Sequence, residues 1–170
     1  MLQAGHPHFA LTLCLAGGPS SQAFAQAEDT EPNDTCRTAQ DVGTLDGDGL
    51  FITGSLDTPP DDPDVDFFSF AAAPGTTLLA NLEGEDTDQG TLPDPLLGLF
   101  DSDCSLVAFN DDVQPSFNSR LLSEVPADGI VILAASAFND FNFLGKGVVS
   151  GSYGLSVAPA PLRSGRSSDG

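Results

Sequence analysis

Two groups of oxygen-bearing side chains in this sequence have the types and spacing of metal ligands. In chain order they are Glu31, Asn33 and Asp34, in the stretch EPNDT, and Asp62, Asp64 and Asp66, in the stretch DDPDVDFF. In an extended strand the three aspartates of the second group would project to one side. Carboxylates so close repel one another unless they are protonated, paired or bound to a cation. The pattern indicates a calcium site, because calcium prefers oxygen ligands. A solvated acidic loop without an ion is the alternative.

The sequence offers few residues for an enzymatic active site. Both histidines, His6 and His8, lie in a segment that is expected to be removed, so the mature chain would lack a histidine for a Ser–His triad or a zinc site. Asp and Glu could still serve as acid and base in glycoside hydrolysis. Sugar clefts usually present Trp or several Tyr for stacking, however, and this chain has no Trp and one Tyr. We therefore expect a protein that is not an enzyme, with a carboxylate-dependent glycoside hydrolase as the alternative.

The charge of the chain limits its partners. There are 25 acidic and 5 basic side chains among 170 residues, which gives a formal net charge of -20. Nucleic acid and anionic membranes require a basic surface, so neither is an expected partner. Divalent cations would relieve the self-repulsion of the folded chain. The expected partner is an extracellular protein or polysaccharide, which the sequence does not identify.

The two ends of the chain differ in composition from its middle. Residues 1–27 contain no charged side chain, and their apolar stretch FALTLCLAG has the length of a signal-peptide core but is too short to span a bilayer. Small residues place cleavage near Ala25 or Ala27, so 1–27 is predicted to be a signal peptide, with a buried amino-terminal strand as the alternative. Residues 159–170 are rich in Pro, Ser and Gly and are predicted to be a disordered tail without a membrane anchor. A secreted, periplasmic or cell-surface location follows.

Two cysteines remain once the leader is removed, Cys36 and Cys104. Two is the number that permits one disulfide in an oxidising compartment, and we predict that they pair. Two free thiols are the alternative.

Residues 28–158 are predicted to form one all-β domain. Short apolar runs separated by Gly, Pro, Asp and Asn predict about eight strands from Leu50 onward, and one short helix is predicted over Thr35–Val42. The predicted strands are Leu50–Leu56, Asp66–Ala72, Thr77–Glu83, Leu96–Asp101, Leu106–Asn110, Arg120–Val125, Ile130–Ala137 and Ser152–Ala158. Alternation in DFFSFA and GSYGLSV directs Phe68 with Phe70, and Tyr153 with Leu155 and Val157, toward the core. Spacings near ten residues favour a β-sandwich.

Several motifs, taken in order, resemble the bacterial pre-peptidase C-terminal domain family and are similar to the collagen-binding domain of clostridial collagenases. They are EPNDT at 31–35, ITGSLD at 52–57, DVDFFSF at 64–70, PG at 74–75, LGLFDSD at 97–103, NDD at 110–112 and GSYGLSV at 151–157. The resemblance implies a secreted, jelly-roll-like antiparallel β-sandwich that is often bound to calcium.

The resemblance also implies roles for residues at the two acidic stretches. Glu31, Asn33 and Asp34 would contribute ligands, together with Asp64 and Asp66, whereas Asp62 is added by the alternation argument alone. The Tyr-rich surface that binds collagen is not evident. We expect a calcium-stabilised module for extracellular binding or for stabilising a secreted partner. A structural surface or matrix protein is a further alternative.

Overall fold

The computed structural model describes residues 24–57 and 64–160, which contain ten strands. The strands are β1 (Ala25–Glu28), β2 (Gln40–Thr44), β3 (Leu50–Leu56), β4 (Asp66–Ala71), β5 (Thr77–Glu83), β6 (Pro95–Phe100), β7 (Leu106–Asn110), β8 (Ser119–Glu124), β9 (Ile130–Ala137) and β10 (Gly151–Pro159). Short 3-10 turns cover Cys36–Thr38 and Glu85–Thr87. Among the described residues no helix is long and apolar enough to cross a membrane.

The strands form two five-stranded sheets. Sheet A has the order β1-β3-β10-β5-β8, and sheet B has the order β2-β4-β9-β6-β7. All pairings among β3 to β10 are antiparallel. These eight strands form a jelly roll, with four strands in each sheet. The predicted all-β sandwich is confirmed, and each of the eight predicted strands matches an observed one to within one residue at either end.

The expected number of strands was too low, because β1 and β2 were not predicted. β1 pairs in parallel with β3 at the edge of sheet A, and β2 pairs in parallel with β4 at the edge of sheet B. The predicted helix over Thr35–Val42 is wrong: only Cys36–Thr38 turns, and Gln40 already pairs with Phe68 of β4. Pairing with a distant strand here overrides local helix propensity.

The described chain extends past the predicted domain, 28–158, at both ends. Ala25, Gln26 and Ala27 belong to the predicted leader, yet they form three of the four residues of β1, so cleavage after Ala27 would remove most of that strand. At the other end, Pro159 belongs to β10, and the Ala160 N–H donates to the Thr77 carbonyl at 2.7 Å. The predicted disordered tail therefore begins too early by these two residues, and 161–170 lie outside the described residues.

The main core lies between the two sheets. Phe68 and Phe70 of β4 face Tyr153, Leu155 and Val157 of β10 within one buried cluster, as their alternation predicts. A smaller cluster covers the other side of sheet B. There the rings of Phe67 and Phe143 lie 5.1 and 5.4 Å from the ring of Phe100, with Cys36 and Ala39 packed against the cluster.

A disulfide joins Cys36 and Cys104, which are 68 residues apart in sequence. Cys36 lies in the turn that precedes β2, and Cys104 lies in the turn between β6 and β7. The bond therefore fastens the amino-terminal segment to sheet B.

Replacing both cysteines (Cys36→Ser with Cys104→Ser) should lower the free energy of unfolding by about 4 kcal/mol, because the unfolded chain regains the freedom of a long loop. Urea unfolding of the two proteins measures the difference. As a control, a reducing agent should lower the midpoint of the wild type and leave that of the double variant unchanged. Equal midpoints for the oxidised wild type and the variant would contradict the stabilising role.

Candidate metal centre

Two segments that are distant in sequence meet at one end of the sandwich. The first leaves β1 at Asp29, whose N–H donates to the Thr53 carbonyl at 2.8 Å. The second enters β4 at Asp66, and the N–H of the next residue, Phe67, donates to the Asn33 carbonyl at 3.1 Å. Main-chain bonds to both sheets thus hold the segment that carries Glu31, Asn33 and Asp34 against the start of β4.

Asp66 is a buried carboxyl between the sheets. It lies on the same side of β4 as Phe68 and Phe70, and none of its surface is exposed. The hydroxyl of Tyr153, on β10 of the facing sheet, donates to Asp66 Oδ2 at 2.5 Å. The second oxygen, Oδ1, is also buried and has no hydrogen-bond partner among the described residues. A buried acceptor left unpaired is costly, and this oxygen is free to accept a hydrogen bond or to coordinate a cation.

Gly54 makes the approach of Tyr153 possible. It pairs with Tyr153 in the β3–β10 ladder. A Cβ atom on Gly54 would lie 2.3 Å from the Tyr153 hydroxyl oxygen and 3.0 Å from the Asp29 Cβ. Only glycine at position 54 therefore leaves room for the Tyr153 phenol and for the side chain of Asp29 beside it.

Asn33 organises the amino-terminal side of the cluster. Its side-chain amide donates to Asp29 Oδ1 at 2.8 Å, and its main-chain N–H donates to Glu31 Oε2 at 2.9 Å. The residue is 1% exposed, and its Oδ1 atom is buried without a hydrogen-bond partner among the described residues. Because the side-chain nitrogen of Asn33 donates to Asp29, its side-chain oxygen is left to accept a hydrogen bond or to coordinate a cation.

The carboxylates converge in two overlapping groups of three. Single oxygens of Asp29, Glu31 and Asp66 lie within 4.8 Å of one another, and so do single oxygens of Glu31, Asp34 and Asp64. Glu31 belongs to both groups. The Asp57 N–H donates to Asp64 Oδ2, while Asp64 Oδ1 is buried and unpaired within the described part of the chain.

The electrostatics of the cluster oppose its own ionisation. Burial raises the pKa of Asp66 to about 9, more than the Tyr153 hydrogen bond lowers it, and the charges of Asp29, Asp64 and Glu31 add to the rise. Burial also raises the pKa of Asp64 to about 6 and that of Asp29 above its usual value. No Lys or Arg of the described residues is among the causes of these pKa shifts. A bound cation would supply the missing positive charge.

The structure brings together five of the six residues that the sequence singled out as metal ligands. They are Glu31, Asn33, Asp34, Asp64 and Asp66. Asp62 lies outside the described residues.

Two residues of the cluster were missed as site residues, Asp29 and Tyr153. Asp29 follows β1, which the sequence did not reveal. Tyr153 was assigned to the core on alternation alone, although a buried tyrosine hydroxyl requires a partner, and that requirement pointed to a buried acceptor.

Comparisons with solved structures find proteins of similar fold. No family model matches the chain, and no curated protein does. One similar structure is the pre-peptidase C-terminal domain of a collagenase from Bacillus anthracis, at 19% identity and a TM-score of 0.45, with 76% of this chain and 99% of that chain covered. Another is PliG from Aeromonas hydrophila, a periplasmic inhibitor of g-type lysozyme, at 15% identity and a TM-score of 0.42, with 78% of this chain and 99% of that chain covered. The first is a domain of the family that the sequence motifs resemble.

Proposed function

We propose that this protein is a secreted, calcium-stabilised β-sandwich module without catalysis of its own, which binds an extracellular ligand or stabilises a secreted partner. One observation carries the proposal: three buried oxygens, on Asn33, Asp64 and Asp66, have no hydrogen-bond partner in the described part of the chain and lie within a single cluster of carboxylates. The disulfide between Cys36 and Cys104 supports an oxidising, extracytoplasmic location.

The donor set favours calcium among the common metal ions. It offers only carboxylate and amide oxygens, with no sulfur or imidazole, and such hard ligands suit calcium, magnesium or manganese. Calcium takes six to eight oxygens in flexible geometry, whereas magnesium demands a near-ideal octahedron and keeps several waters. The side chains that would hold the ion are Asp29, Glu31, Asn33, Asp34, Asp64 and Asp66.

The same geometry disfavours a glycoside hydrolase. In those enzymes two carboxyl groups stand about 5–5.5 Å or about 6.5–9.5 Å apart, on either side of a sugar. Here one oxygen from each residue of a group converges to within 4.8 Å of the other two, and Asp66 is buried between the sheets, where a sugar cannot reach it. Carboxylates that converge on one point suit an ion better than a glycosidic bond.

Calcium binding would stabilise the fold by joining the amino-terminal segment to β4. The ligands come from both sides of the contact between Asn33 and Phe67, so the site is complete only when that contact is formed. An ion that binds only the folded chain adds free energy of folding by mass action.

Excess calcium should therefore raise the melting temperature relative to the protein in chelator. At a concentration a hundredfold above the dissociation constant the expected rise is about 5–10 °C. Thermal unfolding followed by circular dichroism measures it. Magnesium should raise it less.

Matched variants distinguish calcium binding at the cluster from a general effect of calcium on an acidic protein. Glu31→Gln with Asp34→Asn, both outside the buried core, should remove most of the rise. Asp48→Asn, an exposed acid outside the cluster, should keep it. A melting temperature that calcium leaves unchanged in the wild type would refute the site.

In chelator, the stability of the protein should fall as the pH rises from about 5 to about 9. The pKa of Asp66 is about 9 in the folded protein and near its ordinary value of 3.8 in the unfolded chain. Between these values the folded state holds a proton that the unfolded state has released, so rising pH favours unfolding. Asp64, with a pKa of about 6, adds to the lower part of the fall.

Melting temperatures across this pH range should show a shallower fall for Asp66→Asn, which has no carboxyl to ionise. Excess calcium should also flatten the wild-type profile at high pH, because the ion favours the carboxylate. Superimposable slopes for the wild type and Asp66→Asn in chelator would show that Asp66 is not the titrating group.

A further inference from the structure

Three phenylalanine side chains form an exposed aromatic patch beside β7, at the edge of sheet B that β2 does not occupy. Phe109, Phe138 and Phe141 are 48%, 41% and 39% exposed. The ring of Phe141 lies 6.0 Å from that of Phe109 and 6.2 Å from that of Phe138, so the three form one continuous surface. Rings in mutual contact expose a single apolar area, which is a common property of binding sites.

The patch continues onto an unpaired sheet edge. β7 is the last strand of sheet B, and within residues 24–57 and 64–160 it pairs only with β6. Two further apolar side chains on β7, Leu106 and Val107, are 41% and 58% exposed. An apolar edge strand is an aggregation hazard unless a partner covers it.

Three aspartates, Asp94, Asp111 and Asp112, lie beside the patch. The Asp94 carbonyl accepts the N–H of Phe138 at 2.9 Å, and Asp111 and Asp112 follow β7 directly. The Oδ1 atoms of Asp94 and Asp111 are buried and have no hydrogen-bond partner among the described residues. Burial and the charges of Asp111 and Asp112 raise the pKa of Asp94 to about 6, and no basic side chain of the described residues is among the causes that act on it.

We propose that the aromatic patch and the neighbouring acids, Asp94, Asp111 and Asp112, form one binding surface for a cationic, partly apolar segment of another protein. A Lys or Arg head group placed over a phenylalanine ring gains cation–π attraction and can pair with a carboxylate beside the ring. The apolar part of the segment would cover Val107 and the rings, while its cations reach Asp94 and Asp111.

The charge of the chain selects this occupant over a second copy of the same protein. Each copy carries a formal net charge of -20, so two copies repel one another, whereas a cationic partner is attracted. The inference rests on the proposed binding role of the module but not on the calcium site, which involves different residues at the start of β4.

The test measures binding of fluorescent peptides to the full chain by anisotropy, at physiological salt and in excess calcium. The probe is a strand-length peptide with a Val- and Leu-rich centre flanked by Lys and Arg. One control peptide has Glu in place of the flanking cations, and another keeps the cations but has a serine centre. The wild type should bind the probe about tenfold more tightly than either control.

Variants locate the interaction on the surface. Phe109→Ser with Phe141→Ser, and separately Asp94→Asn with Asp111→Asn, should each weaken probe binding about tenfold. Leu122→Ser is the matched control, because Leu122 is 66% exposed on β8 of the other sheet, and it should bind as the wild type does. Each variant should keep a cooperative thermal unfolding transition like that of the wild type, which shows that it folds.

Equal binding of the probe by the wild type and the Phe109→Ser, Phe141→Ser variant would overturn the proposal, since attraction would then come from net charge alone. A wild-type dimer seen in sedimentation velocity, and lost in the same variant, would overturn it in favour of a second copy. Patch-specific binding in a protein that calcium does not stabilise would refute the calcium site and leave this inference standing.

Discussion

The burial of the Asp66 carboxyl between two sheets is the constraint on which this end of the molecule depends. A carboxyl in such a place must be neutral, fully hydrogen-bonded or bound to a cation. Tyr153 of sheet A satisfies one oxygen, and the segment that carries Asn33 closes over the same end of β4. One polar contact thus joins both sheets and fixes the place at which the amino-terminal segment lies.

That segment is held at both ends and crosses from one sheet to the other. β1 precedes it and extends sheet A, while β2 follows it and extends sheet B. The disulfide at Cys36 adds a covalent tie to the turn between β6 and β7. The oxygens of Glu31, Asn33 and Asp34 are therefore already near Asp64 and Asp66, so little conformational entropy remains to be lost when an ion binds. This preorganisation is what a short polar stretch would need in order to form the proposed site on an otherwise ordinary jelly roll.

The jelly roll could be predicted from the sequence because its strands alternate between a buried and an exposed side, as Phe68 and Phe70 do, and turns separate them. β1 and β2 could not be predicted in this way. Their residues, such as Gln40 and Asp41, are polar, and they become strands only by pairing with β4 or β3, which lie far along the chain. The spacing of acidic residues in the sequence indicated most members of the candidate site. The place of Asp29 in this cluster could not be predicted, because it depends on β1, which the sequence did not reveal.

The two groups of unpaired carboxylates, one at the start of β4 and the other beside β6 and β7, pose the same electrostatic problem in different surroundings. Around Asp66 the oxygens converge within a few ångströms and are shielded by both sheets, which suits a small hard ion. Around Asp94 the acids are only half-buried and lie beside exposed rings, which a bare divalent ion cannot use. A Lys or Arg side chain can, because its aliphatic stem covers the rings while its head group reaches the carboxylates. Local geometry, rather than net charge, therefore decides whether a group of acids suits a metal ion or the cationic side chain of a partner.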